Sequence, residues 1–298
     1  MRLLARQGLR VRAAVRRPEL ADFLKPMGDV GQVVPVQANV RHAGSVGAAL
    51  AGSQAAINAT GITVQRGRQR FDAVHVEGTR NIAEASKLAG IRRVIQVSGI
   101  GADEPGDSPS AYVQSKIAAE AALRAIMPEA TILRPSIMFG PGDGFFTSLA
   151  AIARISPVVP VIGGQKTRFQ PVYVGDTAEA ALACLRDTAM AGSAFELGGP
   201  SIYTMRQIAQ LVLHVTGRQP MLLDVPFALA KLLGLFAQYL PAPPLTYDQA
   251  CLLEVDNIVR PDRPGFESLG IVPTAAEVVL PTYLDRFREG GRYSVNAA

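Results

Sequence analysis

The first half of the chain alternates short apolar, β-rich runs with longer helical stretches, a pattern typical of a doubly wound parallel sheet. Strands are predicted over Leu9–Val15, Gln32–Gln37, Ala55–Ala59, Arg93–Val97 and Thr131–Arg134. Helices are predicted between them, over Ser45–Leu50, Arg70–Ala89 and Ala111–Ile126. The chain of 298 residues is therefore expected to adopt an α/β fold, either as one large domain or as a sheet domain with a smaller second lobe.

In the second half the alternation loosens, and the glycine-rich run 140–144 predicts a loop. A further strand is predicted over Phe169–Val174, followed by a helix over Gly175–Arg186 that is capped near Asp176. Beyond Gly198 the pattern becomes mainly helical. The expected domains are a sheet domain over 1–139, to which 168–190 return, and a smaller, mainly helical lobe over 140–167 and 191–298.

The start of the chain departs from the pattern of a complete sheet domain. Residues 1–8 are typical of the last turns of an amphipathic helix that ends at Gly8. A dinucleotide-binding sheet is expected to open with a strand and a glycine-rich turn whose N–H groups meet the pyrophosphate, and neither is recognisable here. Because that first strand is central, its loss would leave strand edges unpaired, and we expect the natural start to lie upstream of Met1.

Composition narrows the classes of function. Arginine supplies much of the net charge of +5, concentrated at 2–17 and 66–70, and a basic face suits nucleic acid, an anionic membrane surface or a phosphorylated cofactor. Without a recognisable nucleic-acid module, the cofactor is favoured and no nucleic-acid partner is expected. The two cysteines and three histidines are scattered and predict no metal site. No apolar run reaches the ~18 residues of a transmembrane helix and no signal peptide is recognisable, so a cytoplasmic location is expected.

One segment of the second half, Val225–Leu240, is apolar almost all round and is interrupted mainly by Lys231 and Gln238. Helices of this composition are usually buried, and we expect this one to pack in the core. Shallow insertion at a membrane interface and contact with a protein partner are the alternatives.

The motif with the most chemical content is Tyr112-Val113-Gln114-Ser115-Lys116, fourteen residues after Ser98 at the end of a predicted strand. In a helix that follows the turn-rich residues 106–110, positions four apart share a face, so the Tyr112 phenol and the Lys116 ammonium can converge on one ligand. An adjacent ammonium favours the phenolate of a tyrosine, which suits acid–base chemistry during hydride transfer. Taken alone, such a pair is also common on solvated helices.

These residues, with Arg134-Pro135-Ser136 and Gly140-Pro141-Gly142, resemble the extended, or atypical, short-chain dehydrogenase/reductase family. Stretches over 67–79, 166–176, 195–200 and 245–249 are similar to one branch of that family, which contains the NAD(P)H-binding accessory subunit of respiratory complex I and its bacterial relatives. The resemblance implies a Rossmann-type sheet that carries a nicotinamide dinucleotide, here without its first strand and glycine-rich loop.

The resemblance also assigns cofactor-binding roles in this chain. Arg16 and Arg17 end the strand where the family selects the cofactor's ribose, and their guanidinium groups suit a 2′-phosphate. NADP(H) is therefore expected rather than NAD(H), with a solvated arginine pair as the alternative. Several of the remaining positions could equally be ordinary loop or strand-end residues. The implied cofactor-binding residues are Arg16, Arg17, Asn39, Val40, Ala59, Thr60, Gly61, Val97, Tyr112, Lys116, Pro135 and Ile137.

The implied catalytic residues are Tyr112, Lys116 and Ser98. The chain departs from many active members of the family at Gly99, where those members have a hydroxyl that hydrogen-bonds the reacting carbonyl. Loss of one such donor typically costs about 10²- to 10³-fold in rate. A second departure is His75, where many relatives have Asn; it either relays a proton through water or is a partly buried histidine satisfied by a neighbour, and the second reading is favoured.

Two functions follow from these residues. The first is a protein that holds NADP(H) mainly for its structure, with weak or no turnover, and that docks on a partner such as a respiratory complex at the periphery of the inner membrane. The second is an active NAD(P)-dependent oxidoreductase or epimerase that acts on a carbonyl or hydroxyl compound through Tyr112 and Lys116. Gly99 and the branch resemblance favour the first function, and the intact Tyr112–Lys116 pair favours the second.

Overall fold

The computed structural model describes residues 1–103, 109–240 and 243–291, so most of the loop expected at 106–110 lies outside the described residues. The elements before the middle of the chain are α1 (Arg2–Arg6), β1 (Val11–Val15), β2 (Val33–Gln37), α2 (Ala43–Leu50), β3 (Ala55–Asn58), α3 (Glu77–Leu88), β4 (Arg93–Val97), α4 (Ala111–Ile126) and β5 (Thr131–Pro135). Those that follow are β6 (Met138–Phe139), α5 (Phe145–Ile155), β7 (Val158–Ile162), β8 (Arg168–Phe169), β9 (Val172–Tyr173), α6 (Val174–Arg186), β10 (Ala194–Leu197), β11 (Tyr203–Thr204), α7 (Met205–Thr216), β12 (Met221–Val225), α8 (Phe227–Ala237), α9 (Tyr247–Leu252), α10 (Ala276–Val279) and α11 (Pro281–Leu284).

The chain divides into two compact units of about equal length. Unit 1 contains the described residues 1–103, 111–134 and 178–195. Unit 2 contains 109–110, 135–177, 196–240 and 243–291. Residues 168–177, expected in the sheet domain, belong to unit 2, because β8 and β9 pair with β11 and β6 of that unit.

Unit 1 contains parallel strands in two separate sheets. β1 pairs with β2, with Val11 opposite Val33. The second sheet has the order β10-β5-β4-β3, with Ala55 of β3 opposite Arg93 of β4. The predicted α/β class and parallel sheet are confirmed, and the five strands predicted in this half lie within two residues of their predicted ends. β10 was not predicted, because its four residues are too few to show a clear alternation.

The core of unit 1 forms where α3 and α4 pack on the second sheet. Apolar side chains of the two helices, among them Ala83 and Leu123, meet Val94 of β4 and Ile132 of β5 in one buried cluster. A smaller cluster, which includes Ala5, Ala13 and Val33, joins α1 to the sheet of β1 and β2. The predicted helix over Arg70–Ala89 begins with a π-helical turn over Asp72–Val76 and continues as α3.

Unit 2 is built around a cluster of aromatic and aliphatic side chains from α5, α7 and α11. Phe146, Ile208 and Leu284 are among its fully buried members. α7 begins with a capping box between Thr204 and Gln207, which satisfies N–H groups that a helix start leaves without partners. Unit 2 thus has its own hydrophobic core.

Two predictions for unit 2 are wrong in detail. The single strand expected over Phe169–Val174 is two short strands, because β8 pairs antiparallel with β11 whereas β9 pairs parallel with β6. Asp176 does not cap α6; its carboxylate accepts hydrogen bonds from the N–H and the hydroxyl of Thr274, at 2.6 and 2.9 Å. The carboxylate therefore ties α6 to the loop before α10.

The prediction that Val225–Leu240 packs in the core is also wrong for most of its side chains. Only Ala230 and Gly234 of α8 are buried. Most of the larger side chains of the helix, including Leu232, Leu233 and Phe236, are exposed. Among the described residues, no helix combines the length and the apolar character that a membrane span requires.

Gly199 is expected to tolerate no side chain. A Cβ atom there would lie 2.0 Å from the backbone carbonyl oxygen of Pro171, and backbone cannot move aside as a flexible side chain can. Gly199→Ala should therefore lower the free energy of unfolding by about 2–4 kcal/mol. Urea titration followed by circular dichroism would measure this, with Gly144→Ala, whose Cβ would meet no atom within 4 Å, as the matched control. Equal stability of the two variants would contradict this packing.

Candidate functional site

The residues of unit 1 that were assigned to the site follow the carboxyl ends of its strands. Arg16 and Arg17 come directly after β1, and the N–H of Ala38, after β2, donates to the carbonyl of Val15 at 2.8 Å. Both arginine side chains are exposed. In an open parallel sheet these strand ends are where ligands bind, so both guanidinium groups can reach one at this edge.

Asn39 and Val40, after β2, have structural contacts of their own. The Asn39 Oδ1 accepts the N–H of Arg41 at 3.2 Å, as in an ordinary Asx turn. A Cβ atom on Gly78 would lie 2.9 Å from Val40 Cγ2, so the glycine at the start of α3 lets Val40 approach the helix closely. The end of β2 is therefore packed against the helix that follows β3.

A buried amide network shapes the turn over Ala59, Thr60 and Gly61. Asn58, the last residue of β3, donates through Nδ2 to Gln96 Oε1 of β4 at 2.8 Å and to Thr79 Oγ1 of α3 at 3.3 Å. Its Oδ1 accepts the N–H of Thr60 at 3.0 Å. Because both polar atoms of this amide form hydrogen bonds, they hold the backbone of the turn in one conformation as it leaves the sheet. Gly61 then lies beside α4, where a Cβ atom would be 3.7 Å from Lys116 Nζ.

His75 lies in the π-helical turn and is 2% exposed. Its Nε2 accepts the N–H of Ile62 at 3.0 Å, and its Nδ1 lies 2.8 Å from Ser115 Oγ. Ser115 Oγ already donates to the carbonyl of Tyr112 at 2.7 Å, so the proton between histidine and serine belongs to His75 Nδ1. Both ring nitrogens are therefore occupied, and His75 is a neutral structural link between the Gly61 turn and α4 rather than a proton relay.

Burial, with a smaller contribution from the Lys116 cation, lowers the pKa of His75 to about 4. The ring stacks on Phe71 at 5.4 Å between centroids and meets the edge of Tyr112 at 5.5 Å. Phe71 also contacts Tyr112 edge-on at 5.8 Å. The three rings thus fix one side of the Tyr112 phenol.

Lys116 is 6% exposed, and its Nζ lies 5.7 Å from the centroid of the Tyr112 ring. Burial lowers the pKa of Lys116 to about 8, and Glu120 partly opposes that shift. Among the described residues, no acceptor forms a hydrogen bond with Nζ. An ammonium largely withdrawn from water gains from added acceptors, so this geometry is suited to a polar ligand that supplies them.

A buried ion pair anchors α4, which carries Tyr112, Ser115 and Lys116. The guanidinium of Arg134, in β5, donates to Glu120 Oε2 at 2.6 Å and lies 2.7 Å from Asp103 Oδ2. Glu120 is one helical turn beyond Lys116, so the ion pair sets the position of the lysine face against the sheet.

Ser98 and Gly99 follow β4, the neighbour of β3. The N–H of Ser98 donates to the carbonyl of Leu133 at 2.7 Å, which holds the backbone against β5. The Ser98 hydroxyl is buried and has no hydrogen-bond partner among the described residues. A Cβ atom on Gly99 would meet no atom within 4 Å, so the beginning of a side chain would fit at this position.

Pro135 and Ile137 lie in unit 2. Asn257 Oδ1 accepts the N–H of Ile137 at 3.1 Å and the hydroxyl of Ser136 at 2.6 Å. The carbonyl of Ile137 accepts the N–H of Val172 at 3.0 Å. The segment after β5 is therefore fixed within its own unit by an asparagine far along the chain.

Several residues that support the site were missed by the sequence analysis. Asn58 and Gln96 interrupt otherwise apolar strands, and a polar residue inside a buried strand is a usable signal for a network. Ser115 stands within the Tyr112–Lys116 motif but carries no signal of its contact with His75. Phe71 and Glu120 resemble any apolar or charged helical residue, so only the packing shows what they touch.

The residues of unit 1 fit a dinucleotide. Among the described residues, the Ser98 hydroxyl is a buried polar atom without a partner, Lys116 is a largely buried cation, and Arg16 and Arg17 are exposed cations at the carboxyl end of β1, in the other sheet of the unit. Hydroxyl groups of a ribose, a carboxamide and phosphates would satisfy donors of these types. No group of His, Cys, Asp and Glu able to hold a metal ion occurs among the residues that the structure describes.

Comparison with known proteins gives the same assignment. Residues 1–144 match a family model described as NAD(P)H-binding. Subunit 9 of the NADH dehydrogenase [ubiquinone] 1 alpha subcomplex from Arabidopsis thaliana is 34% identical over 97% of this chain and 74% of its own. The 40 kDa subunit of NADH-ubiquinone oxidoreductase from Neurospora crassa is 30% identical over 99% and 77%. A ceramide reductase from Caulobacter vibrioides is 32% identical over 76% of this chain and 69% of its own.

Solved structures share the fold at low sequence identity. The crystal structure of gox2253 superimposes with a TM-score of 0.75 at 20% identity, over 98% of this chain and 94% of that one. MoeE5 in complex with UDP-glucose and NAD gives 0.71 at 16% identity, over 95% and 91%. The predicted Rossmann-type fold is therefore confirmed.

The neutral His75 is expected to make stability depend on pH. Its folded-state pKa of about 4 lies below the ordinary value of 6.5, so between these values the unfolded chain binds a proton that the folded chain does not. Stability should fall as the pH is lowered from 6.5 towards 4, by about 2–3 kcal/mol from this group.

His75→Asn should flatten that part of the profile, measured as the free energy of unfolding at several pH values. The exposed His42 provides the control, because His42→Asn should leave the profile as it is. An unchanged slope in His75→Asn would show that other groups cause the pH dependence.

Proposed function

The chain belongs to the NAD(P)H-binding family that includes subunit 9 and the 40 kDa subunit of mitochondrial NADH dehydrogenase, and from this membership we propose that it binds NADP(H) mainly as a structural cofactor, with weak or no classical turnover. The proposal rests on two observations taken together. Polar groups are available to a ligand at the carboxyl ends of the strands of unit 1, and the hydroxyl that active family members have at position 99 is missing. Lys116 presents a largely buried ammonium there, and the Ser98 hydroxyl is buried without a partner among the described residues, whereas Gly99 supplies no polar side chain.

The residues at the carboxyl ends of the strands of unit 1 are suited to a nicotinamide dinucleotide. Lys116 and Tyr112 would hold the ribose beside the reacting ring, and the hydroxyl of Ser98 would face the carboxamide or a substrate. The turn after β3, with residues Ala59, Thr60 and Gly61, would let the backbone approach the phosphates closely. Val97 would lie below the phosphates. Asn39 and Val40 would lie beside the adenine.

A preference for NADP(H) is supported by the charge after β1. Arg16 and Arg17 are exposed guanidinium groups at a strand end where an acidic residue would instead suit the 2′-hydroxyl of NAD(H). A 2′-phosphate accepts charge-assisted, bidentate hydrogen bonds from arginine, which a hydroxyl cannot. The extra phosphate would therefore give the arginine pair hydrogen-bond acceptors that the 2′-hydroxyl of NAD(H) does not supply.

Gly99 supports weak turnover. A reacting carbonyl develops negative charge on its oxygen, and donors aimed at that oxygen supply much of the catalysis in such sites. The bound nicotinamide supplies the hydride chemistry, while Tyr112 would hold or release the proton at its phenol oxygen. Without a hydroxyl at position 99, the Ser98 side chain is left as the neighbouring donor, and the oxyanion is under-stabilised.

The relatives support a partner. The mitochondrial relatives of this chain are named as subunits of NADH dehydrogenase, and we propose that this chain likewise docks on a respiratory complex, from the cytoplasmic side of the inner membrane. In that role the nucleotide would stiffen unit 1 rather than be consumed.

An active NAD(P)-dependent oxidoreductase or epimerase is the second candidate. Two observations favour it: the Tyr112–Lys116 pair is intact, with Nζ 5.7 Å from the ring, and a relative is named as a ceramide reductase. In that case the lysine ammonium would favour the phenolate, and Tyr112 would donate the proton to a carbonyl oxygen.

Nucleotide extraction from the purified protein, followed by mass spectrometry, is expected to yield NADP(H). The double variant Arg16→Glu/Arg17→Glu should raise the Kd for NADPH by about 10- to 100-fold, because two charge-assisted contacts are lost, and should change that for NADH little. Calorimetry would measure both constants. Arg92→Glu, an exposed arginine before the opposite end of β4, is the matched control. Equal losses for both nucleotides would refute the 2′-phosphate assignment.

Gly99→Ser is expected to raise the rate of carbonyl reduction, because it restores one donor in a space that is open. The gain should be about 10²- to 10³-fold over the unaltered protein on a panel of aldehydes and ketones with NADPH. Tyr112→Phe in the same background should abolish it. Rapid turnover by the unaltered protein that Tyr112→Phe removes would reject the structural role and establish the second candidate.

A further inference from the structure

The loop after the Gly61 turn contains a short segment rich in arginine, residues 65–70, called here the arginine turn. The N–H of Arg66 donates to the carbonyl of Gln69 at 2.9 Å, and the N–H of Gln69 donates back to the carbonyl of Arg66 at 2.8 Å. Gly67, between them, has a φ of +51°, which glycine adopts without strain. The exposed cations of this ordered turn are Arg66, Arg68 and Arg70.

Arg41 holds the arginine turn from the neighbouring sheet of unit 1. Its Nη1 donates to the carbonyl of Arg68 at 3.3 Å, while its backbone N–H donates to Asn39 Oδ1 at 3.2 Å. Arg41 follows β2, which pairs with β1, whereas the turn follows β3 of the second sheet. The contact therefore joins the residues after the carboxyl ends of the two sheets.

The other end of the arginine turn is fixed beside Tyr112. Gln65 Oε1 accepts the N–H of Phe71 at 3.1 Å, and the Phe71 ring meets the Tyr112 ring edge-on at 5.8 Å between centroids. The turn thus lies between Asn39, assigned to the adenine side of the nucleotide, and Tyr112, assigned to the nicotinamide side. The two phosphates of a dinucleotide occupy the same place in the order of its parts, between adenosine and nicotinamide riboside.

The positive charge of the arginine turn is not neutralised by acidic side chains. Among the residues that the structure describes, neither its three arginines nor Arg41 forms an ion pair. Asp72 is the one acidic residue between positions 61 and 76, and Glu77, just beyond, pairs with Arg80 at 2.6 Å. Like charges held on one short turn repel each other, and a bound anion would relieve that repulsion.

We propose that the arginine turn binds the diphosphate of the dinucleotide. The inference rests on the proposed nucleotide binding and assigns a site to its phosphates. Guanidinium groups donate charge-assisted, bidentate hydrogen bonds to phosphate oxygens, and these arginines have no internal ion pair to lose. The diphosphate is common to NADP(H) and NAD(H), so the turn strengthens the binding of both, whereas Arg16 and Arg17 distinguish between them. An acidic surface of a protein partner is the alternative ligand.

Nucleotide affinity gives the first readout. Arg66→Gln/Arg68→Gln/Arg70→Gln should raise the Kd for NADPH and for NADH by the same factor, about 10- to 100-fold, measured by calorimetry. The loss should be smaller at high salt, which screens exposed charges. Arg2→Gln/Arg6→Gln/Arg10→Gln removes the same charge from exposed arginines ahead of β1 and should leave both constants nearly unchanged. All six residues are exposed, so the melting temperature should be retained.

Chemical footprinting gives the second readout. Phenylglyoxal modifies accessible guanidinium groups, and peptide mass spectrometry locates the modified residues. NADH and inorganic pyrophosphate should each protect the three arginines of the turn by about fivefold or more in rate. Adenosine, which has no phosphate, should not protect them. Arg154, an exposed arginine of unit 2, is the internal control and should react equally under all conditions.

Three outcomes would overturn the inference. The first is an unchanged Kd of the triple variant for both nucleotides, which would leave the turn to an acidic protein partner. The second is a loss confined to NADPH, which would assign the turn to the 2′-phosphate. The third is equal protection by adenosine and NADH. Failure of the unaltered protein to bind either nucleotide would defeat the proposed function together with the inference, whereas normal NADPH binding by the triple variant would defeat the inference alone.

Discussion

The position of α4 against the sheet depends on a buried ion pair. The guanidinium of Arg134 meets Glu120 on the helix and Asp103 after β4, with all three side chains largely withdrawn from water. Removing one partner from such a cluster leaves an uncompensated buried charge, which typically costs 3–5 kcal/mol. The cluster therefore fixes where the helix lies, and with it the Lys116 ammonium one turn away and the Tyr112 phenol two turns away.

A second layer of polar contacts holds the loop that faces this helix. Asn58 shapes the turn to Gly61, and His75 then joins Ile62 after that turn to Ser115 on α4. Because the imidazole donates on one side and accepts on the other, it performs this role only when neutral, and burial keeps it neutral. The site is thus supported by buried hydrogen bonds in which each donor has its acceptor. The exception beside these contacts, among the described residues, is the Ser98 hydroxyl, which is why it marks the place of a ligand.

Two features of the described residues suit partners of different chemistry. In unit 1, the largely buried Lys116 ammonium and the buried Ser98 hydroxyl suit a ligand rich in oxygen. In unit 2, the exposed apolar face of α8 favours contacts that remove it from water. Each unit has its own hydrophobic core, and each of these two features suits a different kind of partner.

The sequence by itself determined the class of fold and the chemistry of the motif. Strands up to β5 and helices α3 and α4 follow from local periodicity, which needs no knowledge of distant residues, and the Tyr112–Lys116 spacing places both groups on one helical face. Only the tertiary structure decided the rest. The pairing that splits β8 from β9, the contact of His75 with Ser115 forty residues away and the outward turn of α8 all depend on which elements meet. An apolar helix looks the same in sequence whether a neighbour covers it or water does, because burial is a property of the surroundings and not of the residues.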